Sequence, residues 1–347
     1  MIFERQVIFM KRSVLISGGE SHYEVIDFLR GFSIFTIVVM HYLQDAKLPG
    51  MVNKILSIGG TGVHMFFICS GFGLYLSYLN HPVRYKEFIE KRFVKIYIPY
   101  VIVVGISAVL PYMYTGNRLN AFFSHAFLYK MFVPCYEESF GPFWYISTLF
   151  QFYFLFNLLV VFREKCKDNK KFVCLCFVIS VFWWIITALF GIAEQRVWGS
   201  FFLQYLWEFA LGMAVAEYLY EGRSIEINIS ALLLIAPLGI GLAGVAKVAG
   251  GYWTAFNDVF ACFGYGAAAL LLFQSSFGWL RTFVMYTAKL SYEIYLLHML
   301  VFVSIRQLGG NKYLLSMISF IVCYLLANWY AKFTNKLYRR SVEKKIS

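Results

Sequence analysis

Charge is what this 347-residue chain has least of. Asp, Glu, Lys and Arg make up 14% of it, where a soluble domain carries roughly a quarter. An ordinary soluble globular protein is thereby excluded. Cysteines are few and poorly spaced for chemistry: Cys69, Cys135, Cys166, Cys174, Cys176, Cys262 and Cys323. Their odd number, the lack of a CxxC pair and their placement mostly inside apolar runs argue against a disulfide framework and a zinc site, and no metal is expected. There is no P-loop and no dinucleotide fingerprint. The first twenty residues hold no continuous apolar core, because Glu4, Arg5, Lys11 and Arg12 interrupt it; no cleavable signal peptide is expected. The longest stretch outside the apolar runs, 115–141, is too short for an appended soluble domain. It is aromatic (NRLNAFFSHAFLYKMFVPCYEESFG) and is expected to lie on the membrane face or to include a re-entrant piece.

What fills the chain instead is apolar: 60% of its residues are hydrophobic and 20% aromatic. Ten runs approach the roughly 20 residues that a bilayer requires. They cover 25–43, 55–79, 93–114, 142–162, 171–192, 199–220, 227–248, 253–274, 283–305 and 313–333. Lys and Arg sort between alternate connections. One side holds Arg5, Lys11 and Arg12, then Arg84, Lys86, Lys91, Arg92 and Lys95. It also holds Arg163, Lys165, Lys167, Lys170 and Lys171, then Arg223, Arg281 and Lys289, and the tail from Lys332 through Lys344 and Lys345. The opposite connections hold one or two each, such as Lys47 and Lys54, Arg118 and Lys130, Arg196 and Lys247. Cytoplasmic connections carry the positive excess, so both termini are expected in the cytoplasm. The net charge of +12 is topology rather than a nucleic-acid footprint, since no basic stretch interleaves with aromatics in a soluble domain. The fold class is all-α: one polytopic membrane helix bundle of about ten transmembrane helices over residues 1–347.

The first run, IDFLRGFSIFTIVVMHYL, keeps an aspartate, an arginine and a histidine. Arg30 and His41 are eleven residues apart, about three helical turns, so they share a face roughly 16 Å apart along the axis. Asp27 stands three residues before Arg30, within ion-pairing reach. Polar groups at membrane depth are costly and usually face a protein interior or a wet cavity. Two readings stand on spacing alone: the stripe lines a cavity, or its polar residues mark the two ends of the span.

Five segments resemble one family in order. DFLRGFSIFTIVVMH is similar to the R-x10-H first helix of the acyltransferase-3 family, integral membrane enzymes that O-acylate sugars and related acceptors. GGTGVHMFFICSGFGLYLS, from Gly59, resembles its FF-x-x-SGF second span, and FIEKRFVKIYIPY, from Phe88, the basic start of its third. FWYISTLFQFYFLF, from Phe143, is similar to its Trp-to-Tyr span, and LSYEIYLLHMLV, from Leu290, to its late SY-x-IYL-x-H span. The resemblance covers about residues 23–305. Departures exist. Leu149 and Phe150 stand where many members carry two acids, and the basic pair of span three is Arg92 and Lys95 rather than two arginines. Lys meets a phosphate as a point charge, without the bidentate fork. The hydrolase-like C-terminal domain of many members is not expected.

The resemblance implies acyl transfer from a thioester to a hydroxyl, with acyl-coenzyme A, most commonly acetyl-coenzyme A, as cytoplasmic donor. The acceptor is a glycan or lipid-linked sugar of the bacterial envelope, and the location is the plasma membrane. A base must take the hydroxyl proton, a task suited to histidine, and His41 is the candidate. Arg30, with Asp27, would act by charge on the donor or on the polar network below His41. Ser70, with Gly71, could offer oxyanion donors to the thioester, although Ser and Gly in membrane helices also serve close packing. Arg92 and Lys95 would hold donor phosphates. Trp144 and Tyr153 would flank an acceptor sugar. His64 and His298 read first as structural hydrogen-bonding groups, while Glu208, Glu217 and Asp258 are intramembrane acids without an assigned role; His22, His81 and His125 fall in loops. The competing class is a transporter, which intramembrane acids and histidines also suit. Transporters often show repeated halves, and runs one to five do not resemble runs six to ten. The Gly-rich seventh run, GIGLAGVAKVAGG, is fit for close helix contact.

Overall fold

The structure is a computed structural model that describes residues 13–16, 23–44, 48–137, 139–275 and 277–346. Glu4, Arg5, Lys11, Arg12, His22 and Lys47 lie outside the described residues, as do the side chains of Lys344 and Lys345. The chain is a helical bundle. Its helices are α1 (Glu24–Leu43), α2 (Gly50–Ser57), α3 (Gly62–Asn80), α4 (Tyr85–Arg92), α5 (Ile98–Val109), α6 (Arg118–Ala126), α7 (Trp144–Cys166) and α8 (Asn169–Leu189). They continue as α9 (Arg196–Gly199), α10 (Leu206–Tyr220), α11 (Ile229–Ala249), α12 (Tyr252–Gln274), α13 (Gly278–Lys289), α14 (Ser291–Arg306) and α15 (Lys312–Ile346). One two-stranded ribbon pairs β1 (Ser13–Ile16) antiparallel with β2 (Ile225–Asn228).

Among the described residues, 8 helical stretches are long and apolar enough to cross a membrane, or up to 9 if α13 and α14 count as one span. Two of the ten sequence runs differ from straight spanning helices. The sixth becomes α10, only 15 residues long and led in by a 3-10 turn at Phe202–Tyr205. It is buried on most sides, so it need not match the bilayer alone. The ninth is broken: α13 and α14 meet at a bend of 84° at Leu290. Hydropathy does not see this break because both halves are apolar. Between α4 and α5 the chain forms a π-turn at Phe93–Tyr97, just ahead of Pro99. Proline has no N–H and its ring crowds the carbonyl four residues back; a widened turn accommodates that crowding.

Contacts between connections define two ends. At one, β1 meets β2 and Glu24 ion-pairs with Arg281. At the other, the Ser316 hydroxyl donates to Tyr42 O at 2.8 Å and Arg196 reaches Glu137. The first end carries most of the Lys and Arg and is called the basic end below. In the 115–141 connection α6 turns Leu119 and Phe123 outward, while Ala121, Ser124 and His125 are buried. Outward faces of α11 and α15 are apolar, with Leu233, Val245, Ile321 and Trp329 all exposed, as lipid contact requires.

Glycines permit the closest helix contacts. A Cβ at Gly71 of α3 would sit 2.1 Å from Phe209 O of α10, and one at Gly212 of α10 would sit 2.0 Å from Ile68 O of α3. Gly239 of the Gly-rich run likewise abuts Gly264, whose Cα would lie 2.6 Å from an added Cβ. Small residues let membrane helices approach where no hydrophobic drive exists.

Candidate active site

The end opposite the basic end opens into a cavity of about 420 Å³. His41, in the last turn of α1, lines it together with Gln44, Trp144, Tyr145, Tyr295 and Arg196. The wall at its mouth is polar on an aromatic base. The Arg196 guanidinium lies 5.4 Å over the Trp144 ring and its Nε reaches Glu137 Oε1 at 3.3 Å. Gln44 is in hydrogen-bond reach of His41. The His298 ring of α14 stands 5.4 Å from the His41 ring. The sequence suggests a structural hydrogen-bonding role for this neighbour, and nothing in sequence spacing links positions 41 and 298.

Arg30 sits three turns below His41 on α1, and its Nη2 holds Asp27 Oδ1 at 2.5 Å. It lines neither cavity, although its side chain is 40% exposed. Arg30 is within electrostatic reach of Cys69 and Tyr145. Just there, Ser70 Oγ and the Tyr145 hydroxyl are 3.1 Å apart. Tyr145 therefore connects the floor of the His41 cavity to the level of Arg30. The Ser70 hydroxyl is thus partnered by Tyr145, while its neighbour Gly71 is committed to the α3–α10 contact.

A second cavity, of about 270 Å³, lies at the basic end. Lys91, Arg92 and Lys95 line it, with Ser77, His81 and Tyr338. Arg92 Nε is buried without a hydrogen-bond partner, and its guanidinium lies 5.4 Å over Phe88. Lys95 feels both Arg92 and Arg30 as like charges and Glu293 as an opposite one. The structure thus brings the predicted basic pair together, adds Lys91, and places all three at the far end of α1 from His41. Tyr153 does not share the Trp144 wall. Nine residues along α7 separate them, about 13 Å, and Tyr153 packs its edge on Phe88 beside the basic cavity.

The three unassigned acids all find partners. Glu217 accepts from Arg163 Nε at 2.7 Å. Glu208, fully buried, meets His64 Nδ1 at 2.7 Å, and Asp258 stands 3.6 Å from His64 Nε2 while accepting from Gln204 at 2.6 Å. His64 therefore braces α3, α10 and α12 and does not touch the His41 cavity. In the 115–141 connection, His125 is buried and donates from Nδ1 to Ala121 O at 2.8 Å. Burial and the nearby Lys130 charge push its pKa down to about 3. Among the described residues no cluster of three or more His, Cys, Asp or Glu side chains is arranged for a metal ion.

A family described as "Acyltransferase domain", the acyltransferase-3 family, matches residues 23–332, nearly the whole chain. No curated protein and no solved structure matches it.

Proposed function

The chain belongs to the acyltransferase-3 family and is a membrane acyltransferase; from that premise we propose that it moves an acyl group, acetyl by preference, from cytoplasmic acyl-coenzyme A to a hydroxyl of an envelope glycan or lipid-linked sugar. One observation carries the reading: a basic cavity and a histidine cavity lie at opposite ends of the same helices. The basic end is read as cytoplasmic, which places both termini there, in a bacterial plasma membrane. Arg92 and Lys95 bind the donor phosphates, and the pantetheine arm runs past Arg30 toward His41. From Val25 to His41 the path is roughly 24 Å along α1, so the arm must thread between the cavities.

The chemistry follows from the side chains. His41 takes the proton of the acceptor hydroxyl, whose oxygen attacks the thioester carbonyl. The Tyr145 hydroxyl, which lines the His41 cavity and is held by Ser70 Oγ, donates to the developing oxyanion. As the carbon–sulfur bond breaks, the imidazolium returns the proton to the leaving thiolate, so histidine ends as it began. Trp144, capped by the Arg196 guanidinium, walls the acceptor side, where Glu137 and Arg196 suit sugar hydroxyls as acceptor and donor. Arg30, balanced by Asp27, provides positive potential midway.

The test uses detergent-purified protein and labelled acetyl-coenzyme A, with envelope glycan extract as acceptor. Thioester cleavage lost in His41→Ala, with donor binding kept, is the expected outcome. A folded wild type that neither binds nor cleaves acetyl-coenzyme A would overturn the donor assignment.

A further inference from the structure

We propose that His298 is a positioning residue for His41, holding the catalytic imidazole through an N–H···N hydrogen bond; this rests on the acyl-transfer reading above. Three independent features of α14 lead there. First, His298 is fully buried, among the most completely enclosed polar side chains of the protein. Second, its Nδ1 is committed. It lies 2.7 Å from Tyr295 O and 3.2 Å from Ile294 O. Carbonyl oxygens only accept, so Nδ1 carries the proton and Nε2 carries the lone pair. Third, that Nε2 is buried and has no hydrogen-bond partner among the described residues. An orphaned acceptor inside a membrane bundle is costly.

The nearest imidazole is His41, with ring centres 5.4 Å apart and planes inclined by 35°. A hydrogen bond of about 3 Å between two imidazole nitrogens puts their ring centres roughly 5 Å apart. The observed separation is therefore one small side-chain adjustment from a bond. The backbone around the pair is held firmly: Tyr42, next to His41, donates its hydroxyl to His298 O at 2.9 Å. That bond fixes the registry of α1 against α14 at the level of the two rings.

The consequence concerns the tautomer. If His298 Nε2 accepts, the His41 nitrogen facing it must carry a proton. The other His41 nitrogen is then unprotonated and belongs to the cavity, where an acceptor hydroxyl can donate to it. A base whose tautomer is set in advance does not divide its population between productive and unproductive forms. When His41 becomes imidazolium during transfer, the same contact is kept and strengthened, since charged donors form the stronger bonds. His298 touches no reacting atom; it acts through His41.

The test separates the two ends of the His298 ring. Asn places its amide near Nδ1 and can keep the bond to Tyr295 O, whereas Gln places a carbonyl oxygen near Nε2. Expected are a kcat loss of about a hundred-fold for both His298→Asn and His298→Phe, and a loss within about tenfold for His298→Gln. The Kd for acetyl-coenzyme A, which reports the distant basic cavity and hence folding, should stay unchanged in all three. Equal activity of the Asn and Gln variants would overturn the proposal, as would a fully active Phe variant. Nitrogen-15 NMR of histidine-labelled wild type provides a readout independent of turnover. An unprotonated His298 Nε2 that accepts a hydrogen bond is expected; a protonated one refutes the pairing. A wild type without thioester cleavage but with the expected Nε2 signature would defeat the acyl-transfer reading while leaving the contact itself established.

Discussion

Removing the positive charge of the basic cavity should weaken donor binding in a way that ordinary topology charges cannot imitate. Arg92 and Lys95 line the cavity, and Arg92 has no carboxylate ion pair among the described residues. Lys91 lines it too, but its Nζ is ion-paired with Glu87 at 3.2 Å and both side chains are 47% exposed. A hydrogen bond to a charged group contributes about 1.5–3 kcal/mol. Solvent access to the cavity favours the low end, so each of Arg92→Ala and Lys95→Ala should raise the Kd for acetyl-coenzyme A about tenfold, a factor worth about 1.4 kcal/mol. Lys91→Ala should change it less than about twofold, because an exposed pair is worth little. Arg92→Lys should fall between, since the charge survives and the fork does not. Calorimetric titration of purified protein with acetyl-coenzyme A, repeated with the 3′-dephospho donor, gives the numbers. If one of the two residues meets the 3′-phosphate, its substitution has no further effect on the dephospho donor. Equal effects of Lys91→Ala and Arg92→Ala, or none from the Arg92→Ala/Lys95→Ala double variant, would refute the assignment and return both residues to topology.

Two further outcomes follow from pairs and burial. Arg163 and Glu217 are ion-paired with side chains only 8% and 18% exposed; Arg163→Ala leaves a buried carboxylate uncompensated and should cost about 3–5 kcal/mol. Thermal unfolding in detergent should show this, with partial recovery in the Arg163→Ala/Glu217→Gln double variant. His125, held down to about 3 against an unfolded value of 6.5, adds stability that is full above pH 6.5 and is lost as pH falls toward 3. The loss approaches about 1.4 kcal/mol per pH unit. Hydrogen-exchange protection across α6, the rate relative to the intrinsic rate at the same pH, should fall below pH 6 in the wild type and much less in His125→Phe; pH-independent protection in the wild type would refute this.

The fold was legible where the signal is axial. Apolar length and charge asymmetry located the spans, and the helical repeat placed Arg30 below His41 and set Arg92 beside Lys95. These are distances along one helix, fixed by rise per residue. What escaped were facts about which helices meet. His298 stands beside His41 across 257 positions, and no periodicity within α1 or α14 carries that contact. The same holds for Glu208 and Asp258, whose shared partner His64 lies on a third helix. Tyr153 was grouped with Trp144 because both belong to one motif, yet a motif spread along a spanning helix serves two different depths. Intramembrane acids also suited a carrier, and family membership decides for the enzyme.

The ribbon has a consequence for how the protein is made. β1 must wait for β2, whose first residue is Ile225. At about 5–20 residues per second, the second strand follows the first by roughly 10–40 s of synthesis. During that interval the intervening helices have to enter the membrane. Closing so long a loop has an entropy cost that local contacts do not repay. The ribbon therefore forms late, as a latch over helices already assembled. Its closure would mark the moment when the first part of the bundle, including the α3–α10 glycine contact, has come together.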